Sequence, residues 1–118
     1  MVWLILSFFL KIVYQLFRQI ERYPNNIQTI DPLGWINLMK LAKNSKFIIT
    51  DSGGLQKESL WLNKHCITIR HETEWQETLN QGINQLIKVD ENISQPDLSK
   101  GNFSNPYGEG NAANKISK

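Results

Sequence analysis

Apolar runs and polar turns alternate through the middle of the chain. The run Phe47-Ile48-Ile49-Thr50 predicts a short buried strand, and the polar turn Asp51-Ser52-Gly53-Gly54 ends it. Apolar residues then recur over 55–62, which predicts a helix that packs on this strand. Two more strands are predicted over 66–69 and 84–89, with a short helix between them that ends near Gln81-Gly82.

The residues before this region extend the same alternation. Ile27-Gln28-Thr29-Ile30 alternates apolar and polar residues and predicts a short strand, and Asp31-Pro32-Leu33-Gly34 is a loop into a helix from about 35 to 43. Repeated strand–helix order with short connections predicts an α/β fold, a parallel sheet with flanking helices. Ligands bind such sheets at the carboxyl ends of strands, which is where the turn 51–54 lies.

Residues 1–22 form a separate hydrophobic and amphipathic segment. Apolar residues recur over 1–20 at steps of three and four and predict a helix, although residues 2–10 are apolar almost all round. A spanning helix would need about 20 apolar residues, and Lys11 interrupts this run. A secretory signal would need a basic n-region and a cleavage site of small residues. We favour a helix packed on the sheet or on a partner domain, with membrane contact by residues 1–20 as the alternative.

Composition narrows the class of protein. A chain of 118 residues with 41% hydrophobic and 20% charged residues is that of one ordinary globular domain. The net charge of +2 and the scattered Lys and Arg residues do not indicate nucleic-acid binding. The single Cys66 excludes an internal disulfide and a cysteine-based metal cage, which favours a reducing cytoplasm. We expect no metal and no cofactor.

The turn Asp51-Ser52-Gly53-Gly54 carries the clearest chemistry. A strand–turn–helix exposes backbone N–H groups at the start of a helix, where anions bind, and glycines let a phosphate approach the backbone. Glu58, about one turn into the helix, is placed to accept hydrogen bonds from sugar hydroxyls. Two simpler interpretations remain beside this one: an ordinary strand–helix connection, and a solvated carboxylate at Glu58.

Two other groups of polar residues invite a catalytic interpretation. Arg70, His71, Glu72 and Glu74 lie on one predicted loop, but their spacing does not match a metal-ligand pattern, and surface polarity explains them better. His65 precedes Cys66, yet neighbours on a strand point to opposite faces, so we expect no nucleophile pair. We expect Cys66 to be a small buried residue.

Three sequence blocks follow one another in a recognisable order. They are Thr50-Asp51-Ser52-Gly53-Gly54-Leu55-Gln56-Lys57-Glu58, then Arg70-His71-Glu72-Thr73-Glu74-Trp75-Gln76-Glu77, then Asn105-Pro106-Tyr107-Gly108-Glu109-Gly110-Asn111-Ala112. They are like T-D-S-G-G-x-Q-E-E, R-D-x-T-E-R-P-E with its T-E-W variants, and N-P-Y-G-D-G-x-A. With Asp31-Pro32-Leu33-Gly34-Trp35, like D-P-L-G-Y, they make residues 27–117 resemble the C-terminal part of the non-hydrolysing UDP-N-acetylglucosamine 2-epimerases.

The resemblance implies a fold, a reaction and a set of site residues. The fold is a glycosyltransferase-B type with two Rossmann-like lobes, of which 23–118 would be a truncated C-terminal UDP-binding lobe. The reaction interconverts UDP-GlcNAc and UDP-ManNAc by anti elimination of UDP and re-addition, for surface polysaccharide synthesis. Ser52, Gly53 and Gly54 fall on residues that hold the diphosphate, and Glu58 on one that binds the ribose hydroxyls. Gln56 and Lys57 are further candidates for nucleotide contact.

The chain also departs from the family pattern. Lys57 stands where the family has an acid, and Trp75-Gln76 replaces Arg-Pro, which leaves open a related UDP-diacetamido-uronic acid as substrate. Residues 1–22 do not match the pattern, and the family's catalytic carboxylates and essential histidine lie in sequence outside this chain. We therefore expect a truncated, frameshifted or split gene whose product is inactive alone. It would be a residual UDP-sugar-binding module, a non-functional remnant, or half of an epimerase whose partner chain is the N-terminal lobe.

Overall fold

The computed structural model of the protein describes the backbone of residues 4–6, and residues 28, 30–88, 91, 92, 94 and 96–117. Regular elements begin with β1 (Leu4–Leu6), α1 (Trp35–Asn44), β2 (Ile48–Thr50) and α2 (Gly53–Trp61). They continue with β3 (Cys66–Ile69), α3 (Gln76–Asn80), β4 (Asn84–Ile87) and α4 (Ala112–Ile116).

The four strands form one parallel sheet in the order β1-β2-β3-β4. Ile48 of β2 pairs with Leu4 on one side and Cys66 on the other, and Cys66 pairs with Asn84 of β4. This arrangement confirms the predicted α/β class. It also brings the carboxyl ends of β2, β3 and β4 to one edge of the sheet, where the turn after β2 lies.

Two predictions for the first thirty residues differ from the structure. Leu4–Leu6 form a strand that pairs with β2, whereas we expected a helix there; the rest of that predicted helix lies outside the described residues. A short continuous apolar run fits a strand and a helix segment equally well, so its periodicity does not separate the two. The strand expected over 27–30 is also wrong where it can be tested, because Gln28 and Ile30 have no regular structure and are exposed.

The core lies on both faces of the sheet because successive strand residues point to opposite sides. On one face, Ala42 of α1 packs with Ile48 and Cys66. On the other face the buried cluster consists of Phe47, Ile49, Ile67 and Ile87. Both clusters are almost inaccessible to water, which explains why β2 and β3 are mostly apolar, with one buried threonine in each.

A segment near the carboxyl end of the chain is attached to the edge of the sheet opposite the turn. The ring of His65 is 2.6 Å from the carbonyl oxygen of Lys100 through Nε2 and meets Phe103 edge to face at 5.2 Å. Asn102 donates its backbone N–H to the carbonyl of Gln81. His65 is therefore a buried structural residue. Cys66 follows it in the core, and the prediction of a buried Cys66 is confirmed.

Candidate functional site

The turn after β2 consists of small residues whose exposure increases along the chain: Ser52 is buried, Gly53 is half-buried and Gly54 is exposed. Ser52 precedes α2, and its side chain makes no capping hydrogen bond to that helix. Its backbone N–H donates to Thr50 Oγ1 at 3.0 Å, which fixes the direction of the turn. Gly53 and Gly54 form the first turn of α2, where backbone N–H groups have no partner within the helix, and Gly54 is exposed. The helix dipole adds partial positive charge at the same point.

Arg70 and Glu74 lie directly beside Gly53. A Cβ added to Gly53 would collide with Glu74 Oε1 and would lie 3.3 Å from Arg70 Nη1. The two side chains form an ion pair of 3.0 Å and remain 34% and 49% exposed, so either can move away from Gly53 at little cost. A ligand that approaches the Gly53 backbone would therefore have to displace the Glu74 carboxylate, and it would then lie beside the Arg70 guanidinium.

Glu58 lies on α2 beyond the turn and is held by a residue from α1. Trp35 Nε1–H donates to Glu58 Oε1 at 2.8 Å. Glu58 is half-buried, and Trp35 keeps 63% of its surface exposed. The structure thus places Glu58 on the surface of α2 beside an exposed indole.

Gln56 does not reach this surface. Its side chain is fully buried, and Oε1 accepts hydrogen bonds from Thr73 Oγ1 and from Asn84 Nδ2, the latter at 2.9 Å. Its Nε2 donates to the carbonyl of Ser52 at 3.3 Å. Asn84 in turn accepts a hydrogen bond from Thr68 Oγ1 at 2.6 Å. Gln56 therefore supports the turn from the buried side of α2, through its hydrogen bond to the Ser52 carbonyl. The predicted contact of Gln56 with a nucleotide has no geometric support.

Lys57 is enclosed by aromatic rings. Its ammonium nitrogen lies 4.3 Å from the ring centre of Trp75, 4.7 Å from that of Tyr107 and 5.5 Å from that of Trp61. Trp75 and Tyr107 meet edge to face at 5.7 Å, and Trp75 Nε1–H donates to the Gly53 carbonyl at 2.9 Å. We call these four side chains, Lys57, Trp61, Trp75 and Tyr107, the lysine cluster. It connects the carboxyl-terminal segment to the turn.

Two ionisable groups near these elements have shifted pKa values. Burial raises the pKa of the Cys66 thiol to about 11, despite a hydrogen bond to Thr68, so this thiol is a poor nucleophile at neutral pH. Burial raises the pKa of Tyr107, and the neighbouring Glu77 carboxylate raises it further. Tyr107 therefore stays a neutral hydrogen-bond donor to Glu77, at 3.5 Å.

His71, Glu72 and Glu74 are all exposed. The part of the chain that the structure describes contains no group of three or more His, Cys, Asp or Glu residues arranged to hold a metal ion. In the same part of the chain, no helix has the length and apolar character needed to cross a membrane.

Comparison with known proteins identifies the family. The family model described as UDP-N-acetylglucosamine 2-epimerase matches residues 9–118. The chain belongs to this family. The match begins inside residues 1–22, the segment that we expected to lie outside the family pattern, so the expected boundary at residue 23 does not coincide with the start of the similarity.

Individual epimerases and their relatives agree with this assignment. A UDP-N-acetylglucosamine 2-epimerase homolog from Methanococcus maripaludis is 41% identical over 108 residues, which are 87% of this chain and 30% of that protein. A UDP-2,3-diacetamido-2,3-dideoxy-D-glucuronate 2-epimerase from Pseudomonas aeruginosa is 43% identical over 61 residues, 52% of this chain and 17% of the relative. The chain thus spans about 30% or less of the length of these proteins.

A solved epimerase structure is also similar to this one. UDP-GlcNAc 2-epimerase from Methanocaldococcus jannaschii, in complex with UDP-GlcNAc and UDP, superposes with a TM-score of 0.67 at 30% identity. The similarity covers 89% of this chain and 30% of that one. It confirms the predicted partial Rossmann-like lobe of a glycosyltransferase-B-type fold.

The structure brings together the three epimerase blocks that the sequence separates. Lys57 of the first block, Trp75 of the second and Tyr107 of the third meet in the lysine cluster. The position of Arg70 against Gly53 and the link between Trp35 and Glu58 were not anticipated from the sequence. Arg70 begins the second block, so its place in a motif was the available signal; nothing in the sequence indicated that Trp35 would meet Glu58.

Proposed function

We propose that residues 23–118 are the UDP-binding part of a UDP-N-acetylglucosamine 2-epimerase and that the turn after β2 holds the diphosphate. The observation that carries this proposal is the arrangement at Gly53, where the first-turn backbone N–H groups, which have no partner within the helix, the start of α2 and the Arg70 guanidinium converge. Ser52, Gly53 and Gly54 would bind the phosphate oxygens through backbone N–H groups and the Ser52 hydroxyl. Arg70 would neutralise part of their charge.

Glu58 would bind the ribose. Its carboxylate can accept hydrogen bonds from two neighbouring hydroxyls, and its place on α2 is a short distance along the helix from the diphosphate turn. The solved relative bound to UDP-GlcNAc and UDP supports a nucleotide-sugar ligand for this lobe. The chain's single cysteine is free and buried, which fits our inference of a reducing cytoplasm.

The same groups would assist elimination. Negative charge grows on the leaving UDP as the bond between sugar C1 and the phosphate oxygen breaks. Backbone donors at a helix start, together with a guanidinium, stabilise such charge without having to reorganise. The proton at C2 would have to be removed by groups that the family resemblance places in another lobe.

Titration with UDP tests the proposal. We expect UDP to shift the backbone amide NMR signals of Gly53 and Gly54, and uridine, which has no phosphates, to shift them far less. Gly53→Ala should weaken UDP binding by about tenfold or more, or roughly 1.4 kcal/mol, because its Cβ blocks phosphate approach.

The fold should survive this substitution, since only the partly exposed ends of the Glu74 and Arg70 side chains must move. Gly34→Ala is the matched control: an added Cβ meets no atom within 4 Å, and φ at Gly34 is −63°. Signals at Gly53 and Gly54 that do not respond to millimolar UDP would overturn the assignment of the diphosphate site.

Epimerisation by this chain alone is not expected. Glu58 is hydrogen-bonded to Trp35 and Glu74 is paired with Arg70, so neither is placed as a general base. Incubation with UDP-GlcNAc, followed by chromatography of the nucleotide sugars, should show no UDP-ManNAc. Product formed by the chain alone would contradict this prediction. Product formed only after adding a separately produced N-terminal lobe would support the split-epimerase alternative.

A second substrate class is favoured by one relative. The 43% identical protein from Pseudomonas aeruginosa is a 2-epimerase for a UDP-diacetamido-glucuronate, and the chain carries Trp75 in the second block, as in the T-E-W variants. Both sugars share the UDP part, so the proposed site would serve either. The assay with an added N-terminal lobe, run with both UDP-sugars, separates the two.

A further inference from the structure

Trp35 and Glu58 form a contact between two helices that nothing in the core requires. Trp35 is the first residue of α1, and its indole is 63% exposed, so hydrophobic burial does not hold it in place. Its N–H nevertheless donates to Glu58 Oε1 at 2.8 Å, the length of a hydrogen bond to a charged acceptor.

The hydrogen bond leaves half of the carboxylate available. A carboxylate has two oxygens and about four acceptor positions, and an indole N–H can only donate. In the described part of the chain, Glu58 makes no other hydrogen bond or ion pair, so Oε2 keeps its acceptor capacity. Because one oxygen is fixed from α1 and the backbone is fixed by α2, the carboxylate plane has a defined direction.

We propose that Trp35 is a positioning residue for ribose recognition: its N–H fixes the Glu58 carboxylate so that the free oxygen meets the ribose hydroxyls. This inference rests on the proposed function, because it needs UDP to bind along α2. A carboxylate fixed before the ligand arrives loses less side-chain freedom on binding. Trp35 would therefore strengthen binding only for ligands that carry these hydroxyls.

The experiment compares two nucleotides on two forms of the chain. UDP and 2′,3′-dideoxy-UDP share the base and diphosphate, and only UDP can donate ribose hydroxyls to Glu58. Trp35→Phe removes the N–H and keeps an aromatic ring. We expect this variant to bind UDP about three- to tenfold more weakly and to bind the dideoxy nucleotide as before, measured by calorimetry or NMR titration.

Trp61→Phe is the matched control, since Trp61 is also exposed, at 53%, and within the described part of the chain the indole that donates to Glu58 is that of Trp35, not that of Trp61. It should leave both affinities unchanged. A second measurement needs no substitution: the indole N–H signal of Trp35 in the unmodified chain should move with UDP and much less with the dideoxy nucleotide.

The outcomes separate this inference from the function on which it rests. Equal weakening for both nucleotides, or none for either, overturns the positioning role of Trp35 and leaves the diphosphate site standing. Failure of the unmodified chain to bind UDP overturns both. Selective loss for UDP supports the inference.

Discussion

Replacing Gln56 with leucine is expected to lower the free energy of unfolding by about 3 kcal/mol, the largest effect of any single substitution proposed for this chain. The side chain is fully buried and binds three groups: the Thr73 hydroxyl, the Asn84 amide and the Ser52 carbonyl. Leucine has a similar size but satisfies none of them. Each buried polar group left without a partner costs about 1–3 kcal/mol, partly relieved by rearrangement.

Urea denaturation followed by circular dichroism measures this loss as a lower midpoint. Gln85→Leu is the control, because Gln85 is an exposed residue on β4 and the same chemical change there should alter stability by less than about 0.5 kcal/mol. Equal midpoints for the two variants would contradict a supporting role for Gln56. Since Gln56 holds the Ser52 carbonyl, weaker UDP binding should accompany the loss of stability.

Lys57→Glu is expected to cost about 2 kcal/mol of stability, and Trp75→Arg should restore most of it. The ammonium of Lys57 now faces the electron-rich surfaces of Trp75 and Tyr107 at 4.3 and 4.7 Å. A carboxylate in its place is repelled by these ring faces. Arginine at position 75 would supply an ion-pair partner and could still donate to the Gly53 carbonyl, as Trp75 does.

The physical basis is that two departures from the family pattern are neighbours in space. The family pattern usually has an acid at the position of Lys57 and has arginine, or tryptophan in its T-E-W variants, at that of Trp75, whereas this chain places a cation on an aromatic ring there. Trp75→Arg alone should also destabilise the chain, because it places two cations together. Thermal unfolding of both single variants and the double variant gives the coupling, which we expect to be about 1–2 kcal/mol.

Lys40→Glu serves as the control for the charge change itself, since Lys40 is exposed on α1. This control should lose no more than about a few tenths of a kcal/mol of stability, which corresponds to a shift of about one degree in the unfolding temperature. If the stability losses of Lys57→Glu and Trp75→Arg simply add in the double variant, the two new side chains do not compensate for each other, and the prediction is refuted.

The two central strands of the sheet could be predicted from the sequence because β2 and β3 are buried on both faces. The run 47–50 and the segment 66–69 are short, apolar and β-branched, and the glycines after β2 mark an abrupt turn, so β2, β3 and the start of α2 were within reach of pattern analysis. The same uniform apolarity misled the prediction for Leu4–Leu6, where the longer apolar stretch also fits a helix.

The site was predictable only where it is local in sequence. Ser52, Gly53 and Gly54 adjoin one another, and a strand, glycines and a helix in succession indicate an anion site without knowledge of the fold. Trp35 and Glu58 lie 23 positions apart, and Gln56 and Asn84 lie 28 apart. No periodicity connects such pairs. The buried side of α2 carries the polar residues Gln56 and Ser59 beside Leu55 and Leu60. Its inward face therefore has no continuous apolar stripe from which the burial of Gln56 could be predicted.

The ion pair beside Gly53 determines what kind of event nucleotide binding would be. Glu74 lies against the Gly53 backbone with Arg70 as its counter-ion, so the turn without ligand already accommodates an anion. An arriving diphosphate would displace that carboxylate and take over its guanidinium, which is an exchange of anions at a site already neutralised. The electrostatic gain on binding is then the difference between the Arg70–diphosphate pair and the Arg70–Glu74 pair. The affinity for UDP should therefore fall less steeply with ionic strength than it would if Arg70 had no counter-ion before binding.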